Sequence, residues 1–150
     1  LNKVLLEDKN NKRALKLKAA VLNKAGEYKQ ALLVYHRLIK NNPQQPLFYL
    51  QRAATYLALK QYTKAENDIN IILQKEKYEP HANYLMARVK LAQKKYKQAK
   101  EAAMKVIAIN ATHSASILIL GIASDKLHLF NQAEKYLTEY LALQPKDTKI

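Results

Sequence analysis

Cysteine is missing from all 150 residues, which excludes disulfides and thiol chemistry, although a chain without cysteine suits either redox compartment. Glycine is nearly missing as well. With 2 Gly no glycine-rich phosphate loop can form, and with only 4 Pro beside them the composition favours helix over a turn-rich β fold. No apolar run approaches the roughly 18–20 residues needed to span a bilayer. No signal peptide is visible, and the first residue is Leu1 rather than Met, which suggests an excised segment whose targeting sequence would lie outside it. The compartment therefore stays open between cytoplasm and periplasm. Acids are scarce too: 12 Asp and Glu stand against 26 Lys and Arg, a net charge of +14. What is present in quantity is apolar surface, 49% of residues, enough for the core of one soluble domain of this length.

That apolar material is periodic. The segment Gly26-Glu27-Tyr28-Lys29-Gln30-Ala31 returns as Gln61-Tyr62-Thr63-Lys64-Ala65, as Lys95-Tyr96-Lys97-Gln98-Ala99 and as Phe130-Asn131-Gln132-Ala133. The aromatics stand at 28, 62, 96 and 130 and the alanines at 31, 65, 99 and 133, always 34 apart. A fixed period of this size indicates stacked supersecondary units. Four first helices are expected near 13–25, 46–59, 80–93 and 114–127, and four second helices near 28–41, 62–76, 96–109 and 130–143. Pro46 and Pro80 open units, since proline is tolerated in a first turn, while Asn42-Pro43 and Pro145 close second helices. Leu5 and Leu6 fall close to the register of the second helices, so residues 1–11 read as the remnant of a preceding repeat helix.

Within each unit, position eight is tiny (Ala19, Ala53, Ala87, Gly121) and position twenty is always alanine. Small side chains on both helices of a pair let their axes approach closely. Together with Gly at fifteen (Gly26), an aromatic at seventeen, Tyr35 at twenty-four and Pro43 at thirty-two, the pattern resembles the tetratricopeptide repeat. The resemblance assigns repeats to 12–45, 46–79, 80–113 and 114–147, with 148–150 starting a following segment. It implies an all-α fold, a right-handed superhelical solenoid of antiparallel helix pairs. Departures are local: position four is Leu15, Tyr49, Asn83 and Ile117, never Trp, and position seven is Lys18 and then Arg52. Stacking also implies that Leu137, Tyr140, Leu141 and Leu143 of the last helix keep some apolar surface exposed, so that the array continues or pairs end to end with another molecule.

The same residues carry no catalytic pattern. His36, His81, His113 and His128 show no metal-ligand spacing, and Ser114, Ser116 and Ser124 share one expected helix without a base. Glu66 and Asp68 read as a solvated pair on a helix surface. Asn110-Ala111-Thr112 fits the glycosylation acceptor rule, a common triplet. The expectation is a protein that is no enzyme and takes no cofactor or metal.

If units stack as the resemblance implies, the first helices line a concave groove. Its apolar middle would be Leu47, Leu50, Leu57, Tyr84, Leu91, Leu118 and Ile122, with Arg88 among them and Arg13, Lys16 and Lys24 on the rim. Such a patch marks a protein-binding site. The family's grip on C-terminal carboxylates is not expected, because only Lys16 fits it while Ala20, Leu50, His81 and Leu85 do not. The expected function is a scaffold for an apolar or amphipathic peptide or helix, with acidic flanks on that partner matching the cations. One alternative is a basic surface for nucleic acid or anionic lipid. The repeats carry +7, +1, +6 and −1, scattered over many helical positions, so nucleic-acid binding is expected to be weak, sequence-blind and lost near physiological salt. The other is a structural spacer in a larger protein, of the bacterial secretion or envelope kind that the resemblance alone suggests.

Overall fold

The computed structural model describes Asp8 and residues 11–144, and among these it contains eight helices and no strand. They are α1 (Lys12–Lys24), α2 (Tyr28–Asn41), α3 (Pro46–Ala58), α4 (Tyr62–Lys75), α5 (Pro80–Ala92), α6 (Tyr96–Ile107), α7 (Ser114–Lys126) and α8 (Phe130–Leu143). Each starts and ends within two residues of the bounds read from the period. Apart from Asp8 and Asn11, the expected remnant at 1–11, the stop at Pro145 and the segment at 148–150 lie outside the described residues.

Local chemistry explains the ends. Pro46 and Pro80 occupy the first turns of α3 and α5. Side chains cap α1, α5 and α7: Asn11 Oδ1 accepts from the Ala14 amide at 3.0 Å, Glu79 accepts from the Ala82 amide, and His113 Nδ1 accepts from the Ser116 amide at 3.2 Å. Each first helix turns into its partner through one left-handed residue, at Gly26 (φ 77°), Lys60 (58°), Lys94 (61°) and His128 (59°), again 34 apart. The following amides reach back in the pattern of a Schellman turn, from Glu27 to Leu22 O at 2.9 Å, Gln61 to Tyr56 O at 2.8 Å, Lys95 to Lys90 O at 2.8 Å and Leu129 to Ser124 O at 2.9 Å. Only Gly26 takes this conformation without a steric cost.

The chain divides into two compact units, residues 1–75 and 76–150. In the first, α1 packs on α2, α2 on α3 and α3 on α4. Its core gathers Leu15, Ala19, Ala31, Val34, Tyr35, Leu38 and Phe48. In the second, α5, α6, α7 and α8 pack in sequence, and α5 also touches α7. Its core is built from Ala87, Ala99, Ala102, Ala103, Ile119 and Leu120, with Tyr84, Met86, Leu91, Ile107 and Tyr136 partly buried against it. The small positions eight and twenty are buried in all four repeats. Gly121 shows why: a Cβ there would sit 2.6 Å from Leu137 Cδ2, so Leu137 fills the space a side chain would need. On α8, Leu137 and Tyr140 are half-buried while Leu141 and Leu143 are 69% and 38% exposed, in keeping with the expectation of apolar surface left open on the last helix.

Candidate binding surface

In the unit of residues 1–75 the first helices are α1 and α3. Arg13, Lys16 and Lys24 are exposed on α1, and on α3 Leu47 is 44% exposed while Leu50 and Leu57 are half-buried. Arg13 and Lys16 are brought together in a cleft of about 610 Å³, with Lys12, Leu17, Ala20 and Gln51 as its other described walls. The remaining groove residues of this unit are placed on the same two helices, outside that cleft's lining.

In the unit of residues 76–150 the first helices are α5 and α7, which pack directly on each other. Tyr84 is the fixed point of this face. Its ring meets His113 edge-on with centroids 5.0 Å apart, and the Arg88 guanidinium lies 5.7 Å from the ring centre. Arg88 is exposed, whereas Tyr84, Leu91, Leu118 and Ile122 are all half-buried. Tyr84 and Leu91 share their surface with the core, a division that a helical stripe alone does not reveal.

The structure corrects the reading of Asp68. Rather than being solvated, it is 3% exposed and bound by Arg52 in a fork, with Nε donating to Oδ2 at 2.8 Å and an η-nitrogen to Oδ1 at 2.7 Å. Arg52 also lies 5.8 Å from the ring centres of both Tyr49 and Tyr56. Burial works against its charge, but the Asp68 carboxylate outweighs burial and holds the guanidinium pKa above its ordinary value. Tyr56 OH meets His36 Nε2 at 3.2 Å. Burial, with the nearby Arg52 charge, lowers the His36 pKa, and burial raises that of Tyr56. The lysine-to-arginine change at position seven was the available signal, because it came with an aspartate at position twenty-three of the same repeat.

Two further polar residues take roles that helical spacing does not reveal. Asn23, on the helical stripe of the groove face, is half-buried: its Nδ2 donates to Tyr35 OH at 2.9 Å, and its Oδ1 accepts from Thr55 Oγ1 at 3.1 Å. Burial pushes the Tyr35 hydroxyl pKa up, and the Asn23 bond opposes this. Asn83, at position four, donates to the carbonyls of Lys77 and Glu79 at 3.0 and 2.9 Å and so ties the preceding turn to α5. Ser116 does meet a histidine, with its Oγ 2.8 Å from His113 Nδ1, but the serine is fully buried, and the contact is a helix cap that no substrate can reach. Among the described residues no group of three or more His, Asp or Glu could hold a metal ion, and no helix is long and apolar enough to cross a membrane.

Residues 80–113, one full period, match the sequence model of the tetratricopeptide repeat. No curated protein matches the chain. Among solved structures, MamA 41-end from Desulfovibrio magneticus RS-1 superposes with a TM-score of 0.84 at 19% identity, over 97% of this chain and 82% of that one. A tetratricopeptide repeat protein from Parabacteroides merdae ATCC 43184 gives 0.83 at 18% identity, over 97% and 58%. TTC0263, a thermophilic TPR protein in Thermus thermophilus, gives 0.76 at 20% identity, over 89% and 74%. At these identities the likeness establishes the fold, an all-α helical repeat of the solenoid class.

Proposed function

We propose that the chain, in which residues 80–113 match the tetratricopeptide repeat, is a non-catalytic interaction scaffold whose first-helix faces bind an apolar or amphipathic peptide or helix of a partner protein. The anchors are Leu47, Leu50 and Leu57 in one unit and Tyr84, Arg88, Leu91, Leu118 and Ile122 in the other, with Arg13, Lys16 and Lys24 meeting acidic flanks of the partner. The repeats are 12–45, 46–79, 80–113 and 114–147. The observation that carries the reading is Tyr84, a half-buried aromatic held between Arg88 and His113 on a face where α5 and α7 adjoin. Tyrosine and arginine dominate the energetic centres of protein interfaces, and a ring already held in place loses little entropy on binding.

The test uses a neutral synthetic helix with leucines at i, i+4 and i+7 among glutamines and alanines, added to the isotopically labelled protein. The methyl signals of Leu91, Leu118 and Ile122 and the ring of Tyr84 are expected to shift, and Tyr84→Ala with Arg88→Glu to weaken binding about tenfold or more. Binding that leaves those signals in place would remove this face from the function.

A further inference from the structure

The unit of residues 76–150 carries a second concavity on different elements. A cleft of about 760 Å³ is lined by Lys97, Lys100, Glu101, Met104 and Lys105 of α6 and by Leu127 and Leu129 of the α7–α8 turn. Its size is that of an ordinary ligand site. The local backbone makes it: left-handed His128 reverses the chain, so the residues on either side of it both reach the cleft wall. On α6, positions 97, 100, 101, 104 and 105 recur at three- and four-residue spacing and so occupy one face.

The lining is sorted by chemistry. Met104 and Leu129 keep 43% and 38% of their surface in solvent, and with Leu127 they supply the apolar lining. Around them stand three lysines and a single carboxylate, in a repeat that carries +6. Lys100 is engaged by the Gln132 side chain. Lys97 and Lys105 have no ion-pair or hydrogen-bond partner among the described residues. Methionine beside leucine gives a surface that adapts to the shape of an apolar anchor, and unpaired lysines select the charge around that anchor.

We propose that the cleft formed by α6 and the α7–α8 turn is a docking site for an acidic segment of a partner protein carrying one apolar anchor, separate from the first-helix face. The anchor sits on Met104, Leu127 and Leu129, and carboxylates on either side meet Lys97 and Lys105. Net charge alone would not choose this place, because a scattered lysine without an apolar floor beside it offers an anchor nothing to bury against. An anionic membrane would meet the same charge, but a concave cleft fits one inserted side chain better than it fits a flat array of headgroups.

The probe is a fluorescein-labelled twelve-residue peptide of Asp and Glu with one central Phe, set against its Phe→Ser version and against vesicles of phosphatidylserine and phosphatidylcholine. The acidic Phe peptide is expected to shift the Met104 methyl and the Leu127 and Leu129 signals and to lose affinity as salt is raised. Lys97→Glu with Lys105→Glu should weaken it about tenfold. Met104→Gln should abolish the advantage of Phe over Ser. The neutral leucine helix should not displace the acidic peptide, which separates the cleft from the first-helix face. Equal binding of the Phe and Ser peptides, retention of affinity in the double lysine variant, or binding to vesicles with none to the peptide would each overturn the proposal.

Discussion

Arg52 and Asp68 in the unit of residues 1–75 occupy the repeat positions that Met86 and Ala102, then Leu120 and Tyr136, occupy in the other unit. The first unit joins its helices there with a buried bidentate ion pair, and beside it with the Tyr35–Asn23–Thr55 chain of hydrogen bonds. The second unit joins them with methionine and alanine, then with leucine and tyrosine. Both keep a small residue at position eight and alanine at position twenty. The repeat therefore constrains the distance between paired helices strictly and the polarity of the filling hardly at all. Close approach is a steric demand at two points, whereas the remaining volume accepts any combination that satisfies its own charges and hydrogen bonds.

The largest expected effect breaks that contrast directly. Arg52→Met leaves Asp68 buried without its partner and should cost about 3–5 kcal/mol in denaturant unfolding. Arg52→Met with Asp68→Ala copies the Met86–Ala102 pair and should recover most of that loss. A single variant as stable as the parent would mean that the pair is solvated after all.

Ala65→Leu in one unit and Ala99→Leu in the other should each cost about 1–3 kcal/mol, because both alanines are fully buried where helices meet. Similar losses are expected in both units, and a neutral outcome in either would show that the helix spacing there is not set by this position. Gly121→Ala sharpens the same point. It should destabilise the parent, in which Leu137 occupies the Cβ space, and be neutral or favourable in a Leu137→Ala background, which resembles Ala87 with Ala103. A double-mutant cycle reads that reversal, and additive effects would deny the contact.

Lys94→Gly should stabilise by about 1 kcal/mol, since glycine meets φ 61° without the cost that a Cβ imposes. The gain should appear as a higher denaturation midpoint at unchanged slope. Smallest of all is Lys64→Gln, an exposed change expected to stay within about 0.5 kcal/mol. It should nonetheless raise the His36 pKa slightly, because the Lys64 charge helps to depress it. The folded His36 pKa lies below its ordinary 6.5, so its contribution to stability is present above about that pH and falls away as pH drops through the folded value. Proton titration of His36 by NMR checks both statements, and a midpoint at or above 6.5 contradicts them.

The period, the eight helices of the described residues, the starts at Pro46 and Pro80 and the burial of small residues at positions eight and twenty could all be read in advance. They depend on near neighbours along the chain or on a residue type repeated without slippage, and helix periodicity and proline chemistry act locally. Tertiary structure decided what periodicity cannot express. Asp68 is buried because Arg52, 16 residues earlier on the facing helix, can reach it once the hairpin closes. Lys60, Lys94 and His128 adopt the left-handed conformation because closing each hairpin demands it of whichever residue stands there, as Gly26 alone hinted. Asn23, Tyr84 and Leu91 lie on the stripe that helical spacing predicts, yet part of each is taken by the interior. A stripe reports direction from one helix axis, and burial depends on how far the neighbouring helix stands from it.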